Sequence, residues 1–352
     1  MALSIGIVGL PNVGKSTLFE IITKKEVDKS NYPFSTIEPN IGIVAVLDDR
    51  VDKLAELTQI SKKIYPTIEF IDIAGLVAGA SKGEGLGNKF LAHIRNTDAI
   101  VYVLRIFKNE KVIGTQITID PLFEKEILDT ELILKDLETI EKRFKELEKK
   151  IKINKELVKE FEVVKKTKKL LEEGEILAEE NFNEEEKRII KNYQLLTFKS
   201  RVYLLNGKEE EIEPKVIEEF KNNNLSFLVI DLASELEMVG FSKEERKEFG
   251  LPEESKIDLL IKKSYQLLDL ITFLTIGSDE VRGWTAKKGT KAPQAGGIIH
   301  SDFEKNFIKA EVINWKDLIN ASGLIEAREK GLVRTEGKEY IVQDGDVIKI
   351  KT

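Results

Sequence analysis

Gly9-Leu10-Pro11-Asn12-Val13-Gly14-Lys15-Ser16 decides the fold. It fits G-x-x-x-x-G-K-[ST] in full, and it lies between a strand-like run, Leu3 to Val8, and a helical pattern from about Lys15 to Thr23. Glycines let the backbone curl so that its N–H groups converge on phosphate oxygens, and the dipole at the helix start adds to the attraction. Lys15 would place a point charge on the β- and γ-phosphates, and the Ser16 hydroxyl can bind Mg²⁺. A fortuitous glycine-rich turn is the competing reading, and the strand-to-helix setting weighs against it.

Outward from this loop, Ile41 to Leu47, Ile68 to Ile71 and Ala99 to Ile106 read as further strands. Such strand–helix alternation predicts an α/β, mostly parallel sheet with helices on both faces. In Glu69-Phe70-Ile71-Asp72-Ile73-Ala74-Gly75-Leu76 an apolar strand ends at Asp72, which could hold a Mg²⁺-bound water. Gly75 could reach a γ-phosphate through its N–H. Asp and Gly also end strands for turn reasons alone, but in register behind the phosphate loop this D-x-x-G string is a strong signal of a switch-type nucleotidase. Between the two, Thr36 in the stretch Asn31 to Asn40 could complete Mg²⁺ coordination and order the segment when a triphosphate is bound. An ordinary Pro-bounded surface loop would read the same way.

From roughly Asp120 to Asn192 the strand pattern stops. Ile133, Leu137, Ile140, Phe144, Leu147 and Ile151 are spaced by alternating fours and threes, the seam of a coiled-coil helix. Leu157, Phe161, Val164 and Leu171 can supply the returning helix, with Asn154 at the turn. Arg201 to Leu205 and Ser226 to Ile230 then resume the sheet, and a helix is expected from about Lys256 to Leu268. Leu270 to Ile276, Gly296 to Ile299 and Val347 to Ile350 read as strands of a small, separate β-rich module.

Composition narrows the chemistry. The 352 residues exceed what one core usually supports, so two or three domains are expected. The absence of cysteine excludes a disulfide scaffold, a thiolate metal site and a cysteine nucleophile. Only two histidines, His93 and His300, are present, too few for a histidine-built metal cluster, and both read as structural. No basic leader and no run of about 18 apolar residues is seen, so neither secretion nor a membrane span is expected, and a cytoplasmic location is. A net charge of -7 weighs against coating of nucleic acid. From Leu270 onward, however, 13 Lys/Arg stand against 12 Asp/Glu, so any nucleic-acid surface should be local. There Arg282, Trp284, Lys287, Lys288 and Lys291 lie in one stretch read as loop-rich, where cations beside an aromatic could hold phosphate and stack a base. An ordinary soluble surface with a core tryptophan is an equal alternative.

With these motifs in place, the chain resembles the YchF/Obg-like ATPase family of P-loop proteins. The resemblance spans nearly the whole chain: GLPNVGKST, YPFSTIEPN, DIAGLVAGASKGEGLGNKFL, the coiled-coil insertion, WTAKKGTKAPQAGGIIHSDFEKNFIKAEV and YIVQDGDVIKIK. The closing segment resembles a TGS module, a small β-grasp-like domain also found in threonyl-tRNA synthetases. The resemblance implies a nucleotide-binding domain at 1–119 and 193–269, a helical insertion at 120–192 and a TGS domain at 270–352. It also implies nucleotide contacts from Asn12, Val13, Gly14, Lys15, Ser16, Thr17, Asn206, Gly207 and Ser234. Mg²⁺ would be held by Ser16 and Thr36, with Asp72 behind a water, and Asn12 matches the asparagine that binds K⁺ in cation-dependent relatives.

Base choice rests on Asn206-Gly207-Lys208-Glu209. GTP-specific relatives carry N-K-x-D, whose aspartate accepts two hydrogen bonds from guanine; here the lysine has moved and a longer glutamate stands in the last place. Asn206 could still read adenine, so ATP is favoured over GTP. For hydrolysis, Leu76 occupies the place where many relatives carry a water-orienting glutamine, and Gly114, beyond Phe107-Lys108-Asn109, the place of a histidine proposed to assist. Two function classes follow: an ATP-hydrolysing, ribosome-associated translation or stress regulator, or a nucleotide-gated RNA- or ribosome-binding protein with negligible intrinsic hydrolysis. A GTPase of Obg type is the alternative on substrate. The implied partners are ATP and the ribosome or RNA, reached through the TGS domain and the helical insertion, with no membrane and no DNA.

Overall fold

The computed structural model describes residues 3–25, 40–73, 93–107, 120–252 and 254–352. The chain begins with β1 (Ser4–Val8), α1 (Lys15–Lys24), β2 (Ile41–Ala45), α2 (Asp49–Thr58), β3 (Lys62–Ile64), β4 (Thr67–Asp72) and β5 (Ala99–Arg105). Helices α3 (Pro121–Lys150), α4 (Val158–Glu172) and α5 (Glu184–Lys191) intervene. Then come β6 (Arg201–Asn206), α6 (Pro214–Asn222), β7 (Phe227–Ile230), α7 (Leu232–Glu237), α8 (Lys243–Glu248) and α9 (Lys256–Leu267). The tail holds β8 (Leu270–Ile276), β9 (Glu280–Lys287), α10 (Ala292–Ile299), α11 (Ser301–Lys305), β10 (Lys309–Asn314), α12 (Trp315–Ala321), α13 (Leu324–Glu329), β11 (Arg334–Glu336) and β12 (Asp346–Lys351).

The first sheet runs β2-β4-β1-β5-β6-β7, parallel throughout except for β2, which is antiparallel to β4. Helices cover both faces, so the strands can be apolar on both sides, and every residue of β1 and β5 is buried. Ile5, Ile7, Val101 and Val103 share a core with Leu18 of α1 and Leu260 of α9. On the opposite face Tyr102, Leu104 and Tyr203 meet Leu128 and Leu132 of α3 and Phe220 of α6. The mostly parallel α/β sheet expected from the strand–helix alternation is thus present.

The coiled-coil pattern also becomes a helical hairpin. Asp120 caps α3 by accepting the N–H groups of Leu122 and Phe123, and Pro121 fills a first-turn position where no N–H is needed. Ile133, Ile140 and Leu147 form the seam against Val164 and Leu171 of α4, and Phe144 stacks on Phe161 with ring centroids 5.1 Å apart. Asn154 lies at the turn, its side chain accepting the Glu156 N–H. Asp136, fully buried, ties the returning chain to α3 by accepting from Leu196 N, Thr197 N and the Thr197 hydroxyl. At the hairpin root, the Arg201 guanidinium reaches Asp129 and the Tyr102 hydroxyl, both at 3.1 Å.

The second sheet runs β11-β10-β12-β8-β9-β3. Its last strand comes from the N-terminal part of the chain: β3 pairs parallel with β9, Lys62 opposite Glu280 and Ile64 opposite Arg282. Helix α2 supplies Val51, Leu54 and Ala55 to the core under this sheet, against Leu274, Ile313 and Val347. The β-rich tail is therefore not self-contained. One expected strand is corrected: Gly296 to Ile299 is the end of helix α10. A four-residue apolar run does not separate strand from helix by periodicity. Pro293 at the helix start and the Gln294 side chain, which caps the Lys291 N–H, decide for helix. His300 sits between α10 and α11, its Nδ1 accepting the Asp302 N–H.

Candidate nucleotide-binding site

The glycine-rich loop and Asn206 stand at the carboxyl ends of β1 and β6, with β5 between these two strands. Gly9 passes so close to β5 that a Cβ there would lie 2.6 Å from the Val103 carbonyl oxygen. Gly14 begins α1 at φ 108°, in the left-handed region, and a Cβ there would meet Asn206 Nδ2 at 2.3 Å. Space requires both glycines, and at Gly14 conformation does too. Asn12 also adopts a left-handed φ of 64°, an uncommon state for a residue with a side chain. Among the described residues no side chain caps α1, and no acidic residue stands in its first turn, which favours an anion at the positive end of the helix.

Lys15 is buried, and its Nζ donates to the Leu10 carbonyl at 2.7 Å. Burial pushes its ammonium below the ordinary lysine range, while the carboxylates of Asp72 and Glu124 pull it back up. The Asp72 carboxyl is pushed up by burial and held down by Lys15. Ser16 is exposed at the helix start and Thr17 is half-buried. Val13 is buried, and its carbonyl accepts from Asn206 Nδ2 at 2.8 Å.

Asn206 is the joint of the site. While Nδ2 holds the phosphate loop, its Oδ1 accepts the Leu232 N–H at 3.1 Å, so one buried carboxamide fastens the loop to the start of α7. Gly207 follows at φ 147°, where a Cβ would press on Ile106 at 2.7 Å. Asp231 caps α7, accepting from Ala233 N and from the amide and hydroxyl of Ser234. Glu209 turns to Lys256, 2.9 Å away.

Mg²⁺ fits this donor set. The P-loop fold generally uses the ion, and no group of three or more His, Asp or Glu side chains able to hold a metal occurs among the described residues. Mg²⁺ keeps several waters and binds mainly through phosphate oxygens with one or two protein groups, a demand that the Ser16 hydroxyl, with the Asp72 carboxylate in support, would meet.

Two family models match the chain. One, described as a 50S ribosome-binding GTPase, covers residues 4–155. The other, named for the C-terminal part of YchF GTPases and described as a protein of unknown function, covers residues 270–352. The ribosome-binding ATPase YchF of Bacillus subtilis is 47% identical over all of this chain and 99% of its own length. The chain belongs to the YchF family. YchF of Escherichia coli O157:H7, also named a ribosome-binding ATPase, is 43% identical over 99% of this chain and 98% of its own. The solved YchF GTPase of Schizosaccharomyces pombe superposes with a TM-score of 0.87 at 36% identity, covering 99% of this chain and 97% of that one.

In this chain the loop residues Asn12 to Thr17, Asp72, Asn206, Gly207 and Ser234 all stand at the carboxyl edge of the first sheet or on the segments that follow it. Thr36, Gly75, Leu76, Lys108, Asn109 and Gly114 lie outside the described residues. His93 is exposed. Of the cationic stretch in the tail, Arg282, Trp284 and Lys287 are on strand β9 rather than in a loop. Arg282 lies 4.1 Å from the centre of the Trp284 ring, Lys287 is 4.0 Å from Asp98, and Lys291 pairs with Glu339. Three of the four cations there are already engaged.

Sequence reasoning missed Arg105 and Glu124. Glu124, in the first turn of α3, is buried and accepts the Arg105 N–H at 2.9 Å; burial pushes its carboxyl up. The buried Arg105 Nε has no hydrogen-bond partner among the described residues. Nothing in the sequence separates Glu124 from an ordinary acidic residue placed to complement a helix dipole.

Proposed function

We propose that this chain binds ATP with Mg²⁺ and hydrolyses it as a switch protein that works in association with the ribosome. The observation that carries the reading is the phosphate loop, in which Gly9 closes on Val103, Gly14 and Val13 close on Asn206, and Lys15 is buried. Relatives named ribosome-binding ATPases along their whole length support the substrate and partner. Loop amides and Lys15 would grip the phosphates, and Ser16 and Thr36 would hold Mg²⁺, with Asp72 behind a water. Bound Mg²⁺ would neutralise charge on the phosphate oxygens. Gly75 would meet the γ-phosphate, and Asn206, Gly207 and Ser234 would line the base side.

ATP is favoured because Glu209 is engaged with Lys256, which removes the carboxylate that would reward guanine with two hydrogen bonds. A GTPase is the second reading, supported by the description of the matching N-terminal family model and by the name of the Schizosaccharomyces pombe relative, a YchF GTPase. Asn12, with its left-handed backbone, is the proposed K⁺ contact, which would stand in for an arginine finger. A nucleotide-binding domain at 1–119 and 193–269, a helical insertion at 120–192 and a TGS domain at 270–352 whose sheet also takes in β3 and whose core takes in α2, in the cytoplasm, complete the proposal. Competing ATP and GTP titrations, with Lys15→Ala as the blank, test the substrate, and single-turnover hydrolysis in K⁺ or Na⁺, with and without ribosomes, tests the activity. Failure of the wild-type chain to take up either triphosphate at millimolar concentration would overturn the reading. Nucleotide-dependent ribosome binding without turnover would assign it to the gated-binding class.

A further inference from the structure

Beyond Val8 strand β1 leaves the first sheet to become the phosphate loop, and its last pairing on β5 sets Val8 opposite Tyr102. β5 runs on to Arg105, paired on its other side with β6. Amides along a strand alternate between its two neighbours. The Ile100 N–H bonds the Ser200 carbonyl and the Ile106 N–H that of Asn206, so the Arg105 N–H faces the side that β1 has vacated. Glu124 fills that place. Its Oε2 accepts the Arg105 N–H at 2.9 Å, and its Oε1 lies 3.7 Å from the Arg105 Nε. Glu124 is only 4% exposed and stands in the first turn of α3, where its own N–H bonds the Asp120 carbonyl.

A neutral acceptor would satisfy one amide at less cost than a buried carboxylate. The hairpin itself is held by its seam and by Asp136, further along α3. What Glu124 secures is the strand end against which the phosphate loop rests. Gly9 closes on the Val103 carbonyl, and the Asn206 carbonyl accepts the N–H groups of Ile106 at 3.0 Å and Phe107 at 3.2 Å. The Asn206 side chain in turn holds the Val13 carbonyl. Hydrogen bonds therefore run from the root of the hairpin through the end of β5 to the loop. Glu124 is also, with Asp72, one of the two carboxylates whose charge acts on buried Lys15.

We propose that Glu124 is a positioning residue for the phosphate loop: from the root of the hairpin it holds the Arg105 end of β5 in the arrangement that receives a triphosphate. The inference deepens the triphosphate reading proposed above and rests on it. Without this acceptor the strand end samples arrangements that do not bind, and apparent affinity falls by the fraction that stays competent. By reciprocity, a bound triphosphate steadies the same hydrogen bond.

The test uses the full chain with Glu124→Gln and Glu124→Met. The two new side chains are similar in length and uncharged, and only glutamine can accept the Arg105 N–H. Charge alone would make both variants bind at least as tightly as the wild type, because each removes a carboxylate from an anion site. Leu147→Ala, which opens the hairpin seam further along α3, controls for general loosening. Mg·ATP and Mg·GTP are titrated into each protein by calorimetry, with thermal melting as the record of folding. Amide exchange of the peptide carrying Arg105 is followed with and without nucleotide. Glu124→Met is expected to weaken binding by roughly tenfold, to speed exchange in that peptide and to abolish its slowing by nucleotide. Glu124→Gln should bind at least as tightly as the wild type, and Leu147→Ala as the wild type does. Glu124→Ala, which lacks the same acceptor, takes the place of the methionine variant if that chain does not fold. Equal affinity with and without the acceptor would overturn the inference while the triphosphate reading stands, as would an equal loss in Leu147→Ala. Failure of the wild-type chain to take up either nucleotide would overturn the triphosphate reading and this role with it.

Discussion

The Arg50 guanidinium lies 2.6 Å from a carboxylate oxygen of Asp344, a residue 294 positions later in the chain. Its other nitrogens hold Asp48, and the second Asp344 oxygen accepts the Thr272 N–H at 2.8 Å. This chain of charges runs beside the β3–β9 pairing and the shared core of α2, so the connection between β2 and β4 is built into the tail sheet. Those two strands lead directly from the segment carrying Thr36 and to Asp72. Arg50→Ala is expected to destabilise the chain by about 1–2 kcal/mol, since Asp344 is half-exposed and the pair partly screened. Urea unfolding with a double-mutant cycle against Asp344→Ala should give a coupling of about 0.5–1 kcal/mol. Strict additivity would mean the pair contributes nothing.

Asn206→Ala would leave the Val13 carbonyl and the Leu232 N–H without their partner. Each orphaned buried group costs about 1–3 kcal/mol, so both nucleotide affinity and folding stability should fall. Asn206→Asp keeps the acceptor for Leu232 but sets an oxygen against the Val13 carbonyl. It should therefore weaken triphosphate binding further through added negative charge. Isothermal titration of both variants separates lost joinery from lost charge balance.

Gly14→Ala should lower triphosphate affinity by roughly 10- to 100-fold, because it combines a left-handed backbone with a Cβ 2.3 Å from Asn206 Nδ2. Gly174, also left-handed but with nothing within 4 Å of where a Cβ would stand, is the control. Gly174→Ala should leave nucleotide affinity unchanged, and equal losses at the two positions would refute the spatial argument.

Acid should loosen the hairpin. Burial pushes the Glu160 carboxyl up, but the Tyr193 hydroxyl and the Arg143 guanidinium outweigh it and hold it below its ordinary value of 4.5. A depressed carboxyl contributes stability above its unfolded value and loses it as pH falls through the folded value. The hairpin's resistance to thermal melting should therefore weaken as pH drops below about 4.5, and Glu160→Gln should flatten that dependence. Helical melting followed across that pH range is the measurement, and an unchanged profile in the variant would remove Glu160 from the effect.

Much of this was legible in the linear chain. The phosphate loop carries its own spacing, and the hairpin seam Ile133, Ile140 and Leu147 repeats every seven residues, so both could be read locally. The strands of the first sheet announced themselves as apolar runs bounded by turns. Helix α10 did not, because Gly296 to Ile299 satisfies either period over four residues. Arg105 and Glu124 were invisible for a different reason: their meeting depends on α3 crossing the end of β5, and neither spacing nor composition encodes that.

By itself the sequence determined that a triphosphate loop would form, where the sheet would be interrupted and which side chains would line the hairpin seam. These are consequences of periodicity and of glycine at positions that tolerate nothing else. Only the tertiary structure decided that Asn206 locks the loop to α7, that α2 and β3 belong to the tail sheet and that Arg50 meets Asp344. Contacts of that kind join segments far apart in the chain, and they depend on how whole elements pack, a property no local pattern carries.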